Sequence, residues 1–435
     1  MERNSEHSKA RDFLNELFRA AIAAAHPAAC LPPYLPPSPN VGRLIVLAAG
    51  KAAGSMTEVA ERHYLDAAQF PAGRLVGLAV TRHGYGRPTR IVEVAETGHP
   101  VPDAAGLAAA ERVLELAGRA RPDDLVLVLL SGGASANWIA PAPGVPFADK
   151  QAVTRALLRC GAGIGEINAV RKHLSRIKGG RLARRAVAAR LVTLAISDVP
   201  GDDPAVIGSG PTVPDPTTLA DARAVVARHR LELPDAVRRA LDDPDNETPK
   251  PGDQAFAATR FELIACPADA MRAAGAAVRA AGYECVSLGD RLEGEARLVA
   301  AEHAQRARAL QAQGRRAVLL SGGELTVSIQ GKGRGGPNQE YALALALALG
   351  GAPGIAALAA DTDGTDGGAG SIDDPAGAVI DAGTIGRAAS RGLDPAAFLA
   401  DNNSTGFFER LGDLVKTGPT CTNVNDFRAI VVDRE

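Results

Sequence analysis

Aromatic residues are scarce in this chain: they make up 4% of its 435 residues, and there is a single Trp. So few rings leave little for stacking the bases of a single strand. An excess of one charge is missing too. With 48 Lys and Arg against 50 Asp and Glu, the formal net charge is −2, so the balance gives no reason to expect nucleic acid as a partner. The five cysteines, Cys30, Cys160, Cys266, Cys285 and Cys421, are scattered and include no C-x-x-C pair. That argues against a disulfide framework or zinc site and for a reducing cytoplasm. The opening MERNSEHSKARDFLNELF is charged and has no apolar centre, which predicts no secretory leader. One apolar run, residues 341–360, reaches bilayer length. It is interrupted by Gly350-Gly351-Ala352-Pro353-Gly354 and reads as a buried helix followed by a buried strand, so no membrane partner is expected.

What the chain does have is alternation. Hydrophobic residues at 46% and charged residues at 23% are the mix of a soluble globular protein, and the length argues for two or more domains. Aliphatic runs at 43–49, 75–81, 90–95, 124–130 and 190–196 read as strands, with helical patterns between them. Residues 242–254, polar and proline-bearing, are the linker. Beyond it, strands at 261–265, 284–288, 317–320, 325–329 and 355–360 alternate with helices. This order predicts two α/β domains with largely parallel sheets, 1–245 and 246–435.

Ligands of open α/β sheets bind beyond the carboxyl ends of strands. Five polar motifs close aliphatic runs here: Gly50-Lys51, Ser131-Gly132-Gly133 (followed by Ser135), Ser197-Asp198, Ser321-Gly322-Gly323 and Asp361-Thr362-Asp363. Five such motifs favour a phosphate-and-metal site over ordinary turns. Lys51 starts a helix, where the dipole disfavours a cation unless an anion shares the spot. It is not in a Walker loop, because Ile45 and Ala52 stand where Gly and Ser/Thr would be. Asp198 and Asp361 are hard oxygen ligands suited to Mg²⁺, although Asp-Gly pairs also make turns. Arg171 and Lys172 sit in a basic run with His173, Arg176 and Lys178, either a solvated face or a reach toward a carboxylate or phosphate. Gly331, Gly333 and Gly336 fit G-x-G-x-x-G ahead of a helix opening at Pro337, the spacing of a dinucleotide turn or an anion cradle.

Together the segments AAGKAAGSM, TGHPVPD, LLSGGASA, INAVRKHLSRIKGGRLA, ISDVPGDDPAVIGSGPTVPDPTT, GRGGPNQE, DTDGTDG and TGPTCTNVNDF resemble the type II glycerate kinases, whose C-terminal domain is named MOFRL. The resemblance covers residues 43–427, in the family's order. It implies a larger Rossmann-like α/β/α N-terminal domain and a smaller α/β C-terminal domain with the active site in the cleft between them. It also implies an enzyme that transfers the ATP γ-phosphoryl to the 2-hydroxyl of D-glycerate, with ATP and Mg²⁺ as cofactors. Lys51 matches the family's GKA lysine. The family's glycine-loop arginine falls where Pro337 stands, and Arg334 lies three residues earlier. Nucleotide or phosphate contacts are then expected from Ser131, Gly132, Gly133, Ser135, Ser321, Gly322, Gly323, Gly333, Gly335, Asn338 and Glu340, and substrate contacts from Arg171 and Lys172. Mg²⁺ would be held by Asp198 or Asp361, and Lys51, Arg334 and Asp198 would serve catalysis. A homodimer stays open. Some members carry the name hydroxypyruvate reductase, so an NAD(P)H enzyme using the glycine loop is the rival. Phosphoryl transfer accounts for more of the chain, since it needs chiefly cations, metal and positioning.

Overall fold

The computed structural model describes residues 2–368 and 371–433, and the chain forms two compact units, Cys30–Ile264 and Met1–Ala29 with Ala265–Glu435. The first holds a six-stranded sheet built from β1 (Leu44–Ala49), β2 (Leu75–Arg82), β3 (Glu93–Thr97), β4 (Leu125–Leu130), β5 (Arg190–Ile196) and β6 (Thr259–Ala265), in the order β3-β2-β1-β4-β5-β6. β1 pairs in parallel with both β2 and β4, with Leu47 level with Leu78 and Val128. The sequences LIVLAA of β1 and LVLVLL of β4 are buried at every position. Continuous aliphatic strands of this kind belong to sheets covered on both faces, and each such side chain contributes about 2 kcal/mol by leaving water.

The strand order reverses between β1 and β4. From β1 the chain winds outward through β2 to β3, and from β4 it winds the other way through β5 to β6. The loops leaving β1 and β4 therefore diverge and open a crevice at their carboxyl ends.

The expected division at 245/246 falls inside this first unit. The polar segment around it leads into β6, which adds to the sheet beside β5, and Leu191 N donates to Ala258 O (3.0 Å). The N-terminal helix Glu2–Ala25 belongs to the other unit, where Phe13 stacks on Tyr283 and Phe18 on Phe427.

That second unit contains β7 (Glu284–Ser287), β8 (Gly294–Glu295), β9 (Ala317–Gly323), β10 (Leu325–Thr326), β11 (Ile355–Asp361), β12 (Gly377–Ile380), β13 (Leu414–Val415) and β14 (Asp426–Val432). Six of these form a sheet in the order β13-β12-β11-β14-β9-β7, while β8 and β10 make a separate short pair. Here the expectation of a largely parallel sheet is corrected. β9 and β11 run the same way, as a strand–helix–strand passage requires, but the C-terminal strand β14 lies between them, antiparallel to both. The apolar run 341–360 divides as expected into a buried helix, Pro337–Leu349, and β11. Among the described residues no helix is long and apolar enough to cross a membrane.

Candidate active site

At the strand-order reversal the turns after β1 and β4 are tied to each other. Lys51 N donates to Gly132 O (2.8 Å) and Ala52 N to Ser131 Oγ (2.9 Å). Gly50 adopts φ +115°, and a Cβ there would lie 2.3 Å from Ser131 Oγ, so the turn accepts only glycine. Gly133, at φ +88°, has the His99 ring 3.0 Å and Lys51 Cγ 3.4 Å from the point its Cβ would occupy. Two side chains thus converge over Gly133. One is the half-buried Lys51, and the other, His99, was named in the sequence only as part of TGHPVPD.

A second group of cations gathers two residues on, at Ser135. Lys178 Nζ donates to Ser135 O at 2.8 Å, and Arg171 Nη2 approaches the same carbonyl at 3.5 Å. Lys150 Nζ donates to the carbonyls of Arg171 and Leu174, at the C-terminal end of the helix Ile164–His173. Burial, reinforced by the neighbouring cations, pushes Lys150 and Lys178 well below the ordinary lysine range, and burial lowers Arg171 as well. Lys172, expected to meet substrate, does not join them. It is buried in an ion pair with Asp215 (3.2 Å). Ser135 Oγ sits 2.7 Å from Ser209 Oγ. Ser209 is at φ +65° between Gly208 and Gly210, and its carbonyl accepts from Gly179 N (3.0 Å). Lys178 was read only as part of a basic run, either a solvated face or a reach toward an anion, while Lys150 and Ser209 lie outside that run and carry no local signal that joins them to it.

Asp198 follows β5 at the same end of the sheet and is half-buried. Four residues on, Asp202 takes φ +58°, and its Oδ1 is buried with no hydrogen-bond partner among the described residues. An orphaned carboxylate oxygen is a ligand position for a hard cation. Among the described residues no three His, Cys, Asp or Glu side chains cluster as metal ligands. One or two carboxylates, such as Asp198 and Asp202, are what a protein ordinarily offers Mg²⁺, which takes water and phosphate for the rest of its shell.

In the C-terminal unit the expected phosphate cradle is filled by the chain itself. Ser321, Gly322 and Gly323 are not a loop but the buried end of β9. Arg428 donates to Ser321 Oγ (3.4 Å) and to the carbonyls of Gly322 (2.8 Å) and Gly323 (3.1 Å). The glycine loop lies against residues 401–404. Asn402 Oδ1 accepts from Gln330 and Gly331 N, Asp401 Oδ1 from Lys332 N, and Asp401 O from Gly333 N (2.8 Å). A Cβ at Gly331, Gly333 or Gly335 would meet Asp401, Asn403 or Ser404 at 2.2–2.3 Å, so these glycines serve close chain approach. At the helix start, Asp366 accepts from the backbone N–H of Asn338 (3.0 Å) and Gln339 (2.8 Å). Asn338 also reaches Asp426 (2.6 Å), and Glu340 is held by Arg297 (2.7 Å) and Asn402 (3.0 Å). Arg334 is exposed and pairs with Glu409 (3.2 Å). Asp361 ends β11, its Oδ1 accepting from Asp363 N (2.9 Å).

Comparison with known proteins adds an independent line. Residues 13–242 match the model of a domain of unknown function, DUF4147, and residues 317–426 match the MOFRL family. A D-glycerate 2-kinase of Thermotoga maritima is 38% identical over 94% of this chain and 95% of its own length. A crystal structure of glycerate kinase from that organism superimposes with a TM-score of 0.85 at 36% identity, covering 98% of this chain and 100% of the other. A protein of Agrobacterium vitis, provisionally named a hydroxypyruvate reductase, is 47% identical over 97% of this chain and 94% of its own length.

Proposed function

Because the chain belongs to the glycerate kinase family of MOFRL-containing proteins, we propose that it transfers the γ-phosphoryl group of ATP to the 2-hydroxyl of D-glycerate, giving 2-phosphoglycerate and ADP. The observation that carries this reading is the Gly50-Lys51 turn locked to Ser131-Gly132-Gly133 where the strand order reverses. Lys51 stabilises the charge that spreads over the transferring phosphoryl oxygens, and Ser131, Gly132 and Gly133 shape the turn that receives them. Asp198 orients the attacking hydroxyl. Asp198 and Asp202 are the residues that would hold Mg²⁺, whose charge supplies neutralisation of the β- and γ-phosphate oxygens when it is bound. To act as a further cation Arg334 gives up Glu409, an exposed pair worth about 1 kcal/mol or less.

The reductase reading drew its support from the glycine loop. Its backbone donors from Gln330 to Arg334 are engaged by residues 401–403, and the helix start behind it already carries Asp366, so a pyrophosphate would have to displace these acceptors. The test is a paired assay of the purified chain, ADP formed from ATP with D-glycerate against NAD(P)H oxidised with hydroxypyruvate. ADP formation is expected, with Lys51→Ala losing roughly 10²–10³-fold in kcat at an unchanged melting temperature. NAD(P)H turnover without ATP turnover, or near-normal kcat in Lys51→Ala, overturns the reading.

A further inference from the structure

Lys178 is 1% exposed, yet among the described residues its ammonium group has one hydrogen-bond acceptor, the carbonyl of Ser135 at 2.8 Å. Three N–H donors are available to it. The neighbouring lysines show how this fold normally settles a buried cation. Lys172 has a carboxylate, Asp215. Lys150 has two carbonyls at a helix C-terminus, where the dipole favours positive charge. Among the described residues Lys178 has neither, and the charges that bear on it are those of Arg171 and Lys150. Taking a cation out of water beside like charges costs stability. The backbone that holds it there is nonetheless well fixed, with Gly179 and Gly180 both at positive φ and bonded to Ser209 O (3.0 Å) and Gly210 O (2.7 Å).

An anion arriving at Ser135 would relieve this arrangement. Arg171, half-buried, offers a guanidinium beside the same carbonyl. Of the two hydroxyls at Ser135 and Ser209, one donates to the other and the second O–H is left to point at a ligand. We propose that Lys178, together with Arg171, anchors the carboxylate of the hydroxy-acid acceptor, an inference that rests on the kinase reading. Size favours the small acceptor over the nucleotide. Ser135 is two residues from Gly133, where Lys51 and His99 converge, a span of at most about 7 Å. A three-carbon hydroxy acid held by its carboxylate at Ser135 turns its adjacent hydroxyl toward Lys51, where phosphoryl transfer takes place.

The test is titration calorimetry on the full chain, with D-glycerate in the absence of ATP and with ATP in the absence of glycerate. In Lys178→Met, affinity for glycerate falls roughly 10- to 100-fold, affinity for ATP stays within about twofold, and KM for glycerate rises in step while Lys178→Arg recovers part of the loss. A folded Lys178→Met that binds glycerate as tightly as wild type overturns the anchor and leaves the kinase reading standing. Loss of ATP affinity with glycerate affinity kept overturns the carboxylate assignment and gives the cations to nucleotide phosphate. A wild-type chain that binds glycerate through Lys178 but makes no ADP refutes the kinase reading and retains the anchor. Should Lys178→Met fail to fold, the half-buried Arg171→Gln carries the same test, and unchanged glycerate affinity in that variant overturns the proposal.

Discussion

Asp366 shows how one residue can decide what a helix start is for. Its carboxylate fills the place of an anion at the head of the helix Pro337–Leu349, taking both backbone N–H groups and the side-chain amides of Asn338 and Gln339. Burial, and then the nearby Asp426 carboxylate, push its pKa up to about 7, although the N–H donors pull it down. Arg428 faces Asp426 at 2.9 Å, which tempers the repulsion. A folded-state value raised above the unfolded one means that the folded chain holds the proton more tightly. The contribution is full below about pH 4, where even the unfolded carboxyl is protonated. It is lost as pH rises through about 7, at about 1.4 kcal/mol per pH unit in between. Asp366→Asn removes this titration. Melting temperatures of the variant and wild type between pH 5 and pH 8 are therefore expected to shift in the variant's favour as pH rises, by several degrees. A difference that does not change with pH refutes the assignment.

At the scale of elements, the strand ends were legible and the partners of their side chains were not. β1, β4, β5 and β11 fall within about a residue of their aliphatic runs because both-face burial writes itself as continuous hydrophobicity. The glycine loop was legible as spacing alone. Its real partners, Asp401, Asn402 and Asn403, lie about 70 residues further along, and no local pattern announces them. β14 went unread because Asp426 and Arg428 break its apolar run, and they are buried as a pair. Lys178 and Lys172 stand in one basic run and part company only because Ser135 and Asp215 arrive from elsewhere. The Gly50 turn can be tested as an element. Gly50→Ala places a methyl 2.3 Å from Ser131 Oγ and 2.4 Å from its carbonyl, at φ +115°, a strain of about 1–3 kcal/mol. A lowered melting temperature and a large loss of kcat are expected, since Lys51 is the next residue. Gly73→Ala, with nothing within 4 Å of the new methyl, is the control and should leave both unchanged. Equal effects at the two sites contradict the locked turn.

For the molecule as a whole, the first and last segments of the chain belong to one unit. The helix Glu2–Ala25 buries Leu14, Leu17 and Phe18 within the unit that contains Ala265–Glu435. Phe18 stacks on Phe427 of β14, Arg11 pairs with Asp381 and Asp413, and Thr422 Oγ1 donates to Ala25 O (2.7 Å). The expected division into 1–245 and 246–435 puts this helix in the N-terminal domain, because adjacency in the chain is the default and its partners lie hundreds of residues away. At about 2 kcal/mol for each of the three large side chains, its docking is of the same order as the whole stability of a typical domain, about 5–15 kcal/mol. Deleting residues 1–25 should therefore loosen the C-terminal unit and spare the parallel sheet. Hydrogen exchange reads this directly. Amides of β9, β11 and β14 are expected to lose protection by orders of magnitude, while those of β1 and β4 keep theirs. Uniform loss across both sheets would show that the helix supports the whole chain, and unchanged protection in β14 would show that its packing against Phe427 contributes little.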